Sequence, residues 1–427
     1  MSVLITNARV LTLATGERPR RGPELGVLAA IDGASVLVEG GRIARVFRND
    51  GPPAAAGGSV KRVIDARGRV LMPAFIDCHT HACWAGDRLD EWELKQRGAT
   101  YLELLEAGAG IMSTVRAVRS ASEDELAGSL LARLERMMRH GTTVAEVKSG
   151  YGLDTETELK MLGATQTAGQ RWAGTLIPTA CIGHALDPQM GHEAFVARTI
   201  AQTLPAVHDA FPGIAIDAYC ERGAWSLDDC VRLFERAMEL GHPCRVHADQ
   251  FNALGMTPAA IRLGLRSVDH LEASRPAELR ALAQSNLYAV MLPCSGFHLS
   301  AAGRGSGEGG SSAPDYADGR SFVDAGGALA IATNYNPGSS PTGSMPMAVS
   351  IAVRALGIST AEAIAAATVN AASLLGLNDR AVIAEGAIAD LILLAHSDER
   401  LLGYEFGGDP VDHVIVGGEV VKGEVTE

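Results

Sequence analysis

The run Ile76-Asp77-Cys78-His79-Thr80-His81 follows the apolar segment Val70-Leu71-Met72-Pro73-Ala74-Phe75. Residues two apart on a strand point to the same face, so His79 and His81 present their imidazoles to one side. At a strand end such a pair offers two nitrogens to a single first-row metal ion. A second strand end lies far downstream, in Ala330-Ile331-Ala332-Thr333-Asn334-Tyr335-Asn336-Pro337. It carries an amide, Asn334, where a site of this kind normally has a carboxylate. The first segment predicts a metal-dependent hydrolase; the second predicts that its chemistry departs from the usual one.

Between these two segments the pattern repeats. Short apolar runs precede helical stretches at 142–147, 176–180, 214–218, 244–247, 267–270, 289–292 and 328–332. With the strand before His79 they make eight strands alternating with helices, which predicts an α/β fold of the (β/α)8 TIM-barrel type. Polar residues ending the strands then gather at one mouth, where such barrels keep their active sites. The two ends of the chain read differently. Val3-Leu4-Ile5, Ser35 to Val38 and Arg42 to Val46 are short β runs between turn signals, and so are Asp390 to Leu394 and Val411 to Val416 before Gly417-Gly418. The expectation is one small β-sandwich built from residues 1–70 and 376–427, flanking a barrel over 71–375.

A chain of 427 residues suits a large barrel plus a smaller unit, and 47% hydrophobic with 20% charged residues reads as soluble and globular. The formal charge of −13 argues against a nucleic-acid partner, because phosphate binding needs clustered Lys and Arg. A small anionic substrate needs only one or two local cations and stays open. The seven cysteines are odd in number and scattered, which reads as reduced thiols in the cytoplasm. Met1 to Leu13 is a short alternating strand pattern rather than a signal peptide, and no apolar run approaches the ~18 residues of a membrane span. Gly303 to Ser312 (GRGSGEGGSS) lacks the Gly-Lys-Ser/Thr ending of a phosphate loop and reads as a mobile lid near the barrel mouth.

His79, His81, His247 and His270 all fall at expected strand ends. One histidine there is ordinary; four on three strands of one barrel, two of them in a His-x-His pair, point to a metal site. Three neutral imidazoles with open positions suit a catalytic rather than a structural ion. His140, His192, His208, His242, His298, His396 and His413 lie in helical, loop or terminal contexts and read as ordinary polar residues. Lys148 reads as a satisfied strand-end lysine, and Glu221 as a strand-end residue supporting the site from behind.

The chain resembles the imidazolonepropionase family of the amidohydrolase superfamily, enzymes that open the imidazolone ring in histidine breakdown. The resemblance covers nearly the whole length and rests on DCHTH (77–81), AGDR (85–88), ATYLELLEAGAGIMSTVRAVRSAS (99–122), GTTVAEVKSGYGLDTETELKML (141–162), HAD (247–249), DHL (269–271), NPGSSPT (336–342) and TVNAA (368–372). It implies one divalent metal ion held by His79, His81, His247 and position 334, with Zn, Mn and Fe all admissible. It implies substrate contacts at Arg88, Tyr101, Tyr151 and His184, a catalytic histidine at His270, and a homodimer. Arg88 suits a propionate arm, because guanidinium binds carboxylate bidentately.

Two acids of the family pattern are replaced. Asn334 stands where the family has Asp, and Gln250 where it has Glu after the HAD run. The family's Asp takes the proton of the attacking water and delivers it to the leaving nitrogen; an amide does neither. An amine must be protonated to depart, whereas a sulfide departs as the anion. The expectation is therefore hydrolytic desulfurisation of a 2-thioxo-5-oxoimidazolidine propionate, as would arise in breakdown of a thiol-histidine such as ergothioneine, with release of hydrogen sulfide. Gln250 would suit a neutral ring with N–H and C=O edges, and His270 remains the titratable group able to move a proton. The alternatives are an ordinary imidazolonepropionase, another ring hydrolase such as a deaminase or an inactive version, and a non-catalytic binder of metal and ligand.

Overall fold

The computed structural model describes residues 2–48, 62–98, 110–301 and 315–424. Five strands open the chain: β1 (Ser2–Leu11), β2 (Ala30–Glu39), β3 (Arg42–Arg48), β4 (Arg62–Asp65) and β5 (Val70–Pro73). Eight more follow: β6 (Phe75–Asp77), β7 (Thr142–Lys148), β8 (Thr175–Gly183), β9 (Ala215–Cys220), β10 (Cys244–Ala248), β11 (Ser267–His270), β12 (Tyr288–Met291) and β13 (Ala328–Ile331). These eight form one parallel sheet in chain order, β6 to β13. The sheet closes at its top. Thr80 bridges Tyr335 in parallel, His81 N–H donates to Tyr335 O at 3.0 Å and Asn334 N–H donates to His79 O at 3.1 Å. Asp77 strengthens the seam by accepting from the backbone N–H of Thr333 at 3.1 Å and from its hydroxyl. The (β/α)8 barrel expected from the alternation of strands and helices is the fold.

The last strands, β14 (Leu391–Leu394), β15 (Val411–Val416) and β16 (Glu419–Lys422), join the first ones in a second sheet of order β16-β15-β14-β5-β1-β2-β3, with β4 on β1. The small sandwich domain is thus built from both ends of the chain. Its seam is the antiparallel β5–β14 pair, with Leu71 opposite Leu393 and Met72 opposite Ile392. Period-2 alternation divides these side chains between two cores. Leu71, Leu391 and Leu393 pack in the small domain, while Val70, Met72, Ile392 and Leu394 pack against the barrel. The expected junction at 70/71 falls inside β5, and the barrel begins at Phe75.

The helix Glu123–Arg139 shows how the surrounding layer holds the site. Ser122 caps it with a reciprocal Ser122/Glu125 capping box, which satisfies otherwise orphaned N-terminal donors. Leu126, Leu130, Leu134 and Met137 recur at helical spacing and are fully buried, each worth about 1.5–3 kcal/mol of apolar burial. Arg133 sits on the same buried stripe. It donates to Ala82 O at 3.0 Å and Trp84 O at 2.9 Å and stacks on the Trp84 ring, which pins the chain leaving the His-x-His segment. All seven cysteines are buried and unpaired. Among the described residues no helix is long and apolar enough to cross a membrane.

Candidate active site

His79 and His81 follow β6 and His247 lies on β10, and the barrel brings one nitrogen of each within 4.8 Å of the other two. Carboxylates behind the rings set which nitrogen faces inward. His79 gives its Nδ1 side to Asp269 at 2.6 Å, and His247 gives Nδ1 to Asp217 at 3.0 Å. That leaves Nε2 lone pairs directed at the centre. His79 Nε2 is buried with no partner, and His247 Nε2 lies 3.0 Å from His81 Nε2. Burial, reinforced by the Lys148 ammonium, pushes His79 well below the ordinary imidazole pKa. Burial, with His184 and His247 next, does the same for His81, and burial outweighs Asp217 in lowering His247. Neutral imidazoles with converging lone pairs repel one another unless a cation lies between them. The donor set therefore fits a divalent ion.

Asn334 completes this face. It lies three residues beyond β13 with φ of +55°, a left-handed conformation that Asn tolerates better than most residues. Its Nδ2 donates to Ser295 Oγ at 2.7 Å, while its Oδ1 is buried without a partner. An unpaired buried carbonyl oxygen is costly, and a cation would satisfy it. The next turn is fixed by Asn336, whose Oδ1 accepts from the N–H groups of Gly338 and Ser339, both at 2.8 Å.

A buried charge network underlies the ligands. Lys148 Nζ donates to Glu146 and Asp217, each at 2.7 Å, with all three side chains fully buried. Burial opposes the Lys148 charge, yet these carboxylates win and hold it above its ordinary pKa. Arg245 donates to Asp269 at 2.7 Å and to Cys78 O at 2.9 Å, fixing the carboxylate that orients His79. Sequence reading missed Asp217, Asp269, Arg245, Glu146 and Ser295 as site components. The visible signal was a charged residue inside an apolar strand, as in Ala215-Ile216-Asp217-Ala218.

Above the ligands lies a cavity lined by His81, Arg88, Tyr151, His184, Gln250, His270 and Asn334 among others. His184 stacks on His81 with ring centroids 4.7 Å apart, and burial, then His247, pushes it down to about 4. Gly150 permits this approach: at its φ of +114° a Cβ would meet Cys181 O and His184 Cβ at 2.9 Å. Tyr151 is buried beside both rings. Gln250 Oε1 accepts from Tyr219 OH at 2.8 Å. His270 sits 5.6 Å from His247 and 6.1 Å from His79 by ring centroid, with Nδ1 3.3 Å from Glu272. Its φ of +90° is strained for a non-glycine residue, and such strain concentrates at functional sites. Arg88 pairs with Glu91, not with Asp87 or Asp90, and Lys95 meets the same carboxylate at 2.7 Å. Burial works against Glu91, but these cations hold it down to about 2. The barrel thus brings together every sequence-expected site residue except Tyr101, which lies outside the described residues, as does the segment 303–312. Glu221 stands behind the site, accepting from Phe251 N–H at 2.9 Å and Asn252 N–H at 3.1 Å.

The chain matches the amidohydrolase family model over residues 70–421. It is 42% identical over 430 residues to an imidazolonepropionase of Herpetosiphon aurantiacus, covering 98% of this chain and 97% of the relative. It is also 42% identical over 400 residues to the imidazolonepropionase of Deinococcus radiodurans, covering 94% and 95%. Among solved structures, 5-methylcytosine deaminase from Klebsiella pneumoniae liganded with 5-fluorocytosine superposes with a TM-score of 0.72 at 16% identity, over 99% and 98% of the two chains. An atrazine chlorohydrolase from Arthrobacter aurescens complexed with zinc gives 0.70 at 18% identity, over 99% and 95%. These two distant likenesses concern the fold alone. With full-length identity at this level and a converging histidine set at the barrel mouth, the chain belongs to the imidazolonepropionase family of metal-dependent amidohydrolases.

Proposed function

We propose that this enzyme hydrolyses a five-membered imidazolidinone-type ring bearing a propionate arm, and that the bond it breaks is carbon–sulfur. The substrate would be a 2-thioxo-5-oxoimidazolidine propionate. Water replaces sulfur at the thione carbon, giving the 2,5-dioxo ring and hydrogen sulfide. The observation that carries this reading is Asn334, which lines the cavity with His81 and His247: its Nδ2 is committed to Ser295 and its Oδ1 is buried without a partner. No proton can be carried there to a leaving nitrogen; the thiolate sulfur needs only one proton, the one His270 takes from the attacking water, to leave as hydrosulfide while the new hydroxyl gives up its proton and becomes the ring C=O. A divalent ion (Zn, Mn or Fe) held by His79, His81, His247 and Asn334 Oδ1 would supply Lewis-acid activation of water and substrate.

The remaining roles belong to the chain itself. His270, with Nδ1 turned to Glu272, keeps Nε2 to take the proton of the attacking water. Arg88 offers its guanidinium to the arm, with Glu91 and Lys95 fixing its position at the cavity rim. Tyr151 and His184 wall the ring side. Gln250 reads the edge of a neutral ring. Arg88→Met is expected to raise KM for the arm-bearing ring by roughly 10–100-fold, the worth of a charge-assisted pair. Steady-state kinetics with and without the arm check this; an equal loss for both ligands would move Arg88 out of substrate binding. The unpaired buried thiols suit a reducing compartment such as the cytoplasm, and the homodimer is what the family resemblance implies.

A second reading is ordinary imidazolonepropionase activity, and the names of the full-length relatives favour it. One experiment separates the two. The metal-loaded enzyme is incubated with imidazolone propionate and, separately, with the thioxo ring, while sulfide and ring absorbance are followed. Sulfide from the thioxo ring with the imidazolone untouched is the expected result. Enzymatic opening of the imidazolone without sulfide release from the thioxo ring would overturn the carbon–sulfur reading.

A further inference from the structure

Gln250 is held on three sides. The preceding Asp249 turns the chain at φ of +56° and its Oδ2 accepts from Thr257 at 2.8 Å and Ser274 at 2.7 Å. The following residues are clamped by Glu221, which accepts from Phe251 N–H, Asn252 N–H and Asn252 Nδ2. With the backbone pinned on both flanks, the remaining choice is which end of the amide faces the cavity. Tyr219, at the end of β9, makes that choice by donating its phenolic proton to Oε1 at 2.8 Å. A phenol is a better donor than acceptor, because its lone pair is delocalised into the ring. The opposite amide orientation would set Nε2–H2 against that hydroxyl. Both residues line the cavity beside His184 and His247.

We propose that Tyr219 is a positioning residue that turns the Nε2–H2 group of Gln250 into the cavity, so that this wall selects a ring edge bearing an exocyclic acceptor, oxo or thioxo. The inference rests on the ring reading above and deepens it. A carboxylate at position 250 would present only acceptors to the same edge. The amide, oriented by Tyr219, presents two donors.

The test uses ligands that are bound and not turned over. Isothermal titration of the metal-loaded enzyme with hydantoin-5-propionate, the dioxo ring, is run on wild type, Tyr219→Phe, Gln250→Leu and the double variant. Tyr219→Phe removes one hydroxyl and keeps the ring packing. Each single variant is expected to bind about 2–13-fold more weakly, the range of one hydrogen bond. The double variant is expected to match Gln250→Leu, because the positioning effect of Tyr219 on the ring passes through the amide. For 3-cyclopentylpropionate, which has the arm and no acceptor, Tyr219→Phe and wild type are expected to bind equally. Wild-type affinity of Tyr219→Phe for the dioxo ring would overturn the inference, and so would losses that add in the double variant. If wild type binds the cyclopentyl ligand and not the dioxo ring, the ring reading itself fails and the positioning role with it.

Discussion

Asn334→Asp combined with Gln250→Glu is expected to raise opening of imidazolone propionate by on the order of 10²–10⁴-fold over wild type, the usual worth of a positioned acid–base group. Asn334 and Asp have nearly the same shape, and both tolerate the left-handed backbone found at this position. Ser295 Oγ, now accepting from Nδ2, can turn its proton toward a carboxylate oxygen instead. Tyr219 donates equally well to a carboxylate at position 250. The fold should therefore survive while the site regains a group that protonates a leaving nitrogen. Sulfide release should fall or stay level, since His270 already supplies the single proton that hydrosulfide needs to leave. The two rates are measured side by side on wild type, each single variant and the pair. If the paired variant opens the imidazolone no faster than wild type, the absence of acids is not what separates this chain from ring opening, and the leaving-group argument fails.

Lys148→Met should destabilise the protein by about 3–5 kcal/mol, the cost of leaving buried charges uncompensated. Glu146 and Asp217 share the Lys148 ammonium at 2.7 Å each, and all three side chains are inaccessible to water. The nearby Arg245, 3.4 Å from Glu146, is already engaged with Asp269 and does not replace it. The effect should reach the metal. Asp217 also orients His247 through a 3.0 Å contact, and loss of such an orienting partner typically weakens metal affinity 10–100-fold. The denaturation midpoint and the metal retained after dialysis report the two effects separately. A variant with wild-type midpoint and full metal content would show that the network is not the scaffold of the ligand set.

The His-x-His run was legible because its meaning is local: a strand places alternate residues on one face whatever surrounds it. The eight apolar runs were legible for the same reason, and barrel topology then sends their polar ends to one mouth. Asn334 and Gln250 stood out as amides where the resembled family has acids, which set the chemical question before any geometry was known. The pairing of β5 with β14 was not legible. Nothing in Val70–Pro73 says whether it ends the small sheet or begins the barrel; the partner strand, more than three hundred residues away in the chain, decides. The same holds for the surroundings of Arg88, where Glu91, one helical turn on, pairs with the guanidinium.

The sequence by itself determined the barrel and the strand that presents His79 and His81, because these follow from residue identity and short-range periodicity; the two missing acids were visible only through the family resemblance. Only the tertiary structure decided which nitrogen of His79 and of His247 faces the centre, which end of the Asn334 amide is left unpaired, and which end of the Gln250 amide meets Tyr219. Those choices are made by Asp269, Asp217, Ser295 and Tyr219, partners 190, 30, 39 and 31 residues away along the chain. Their proximity is set by barrel closure and strand register, and no local pattern encodes it.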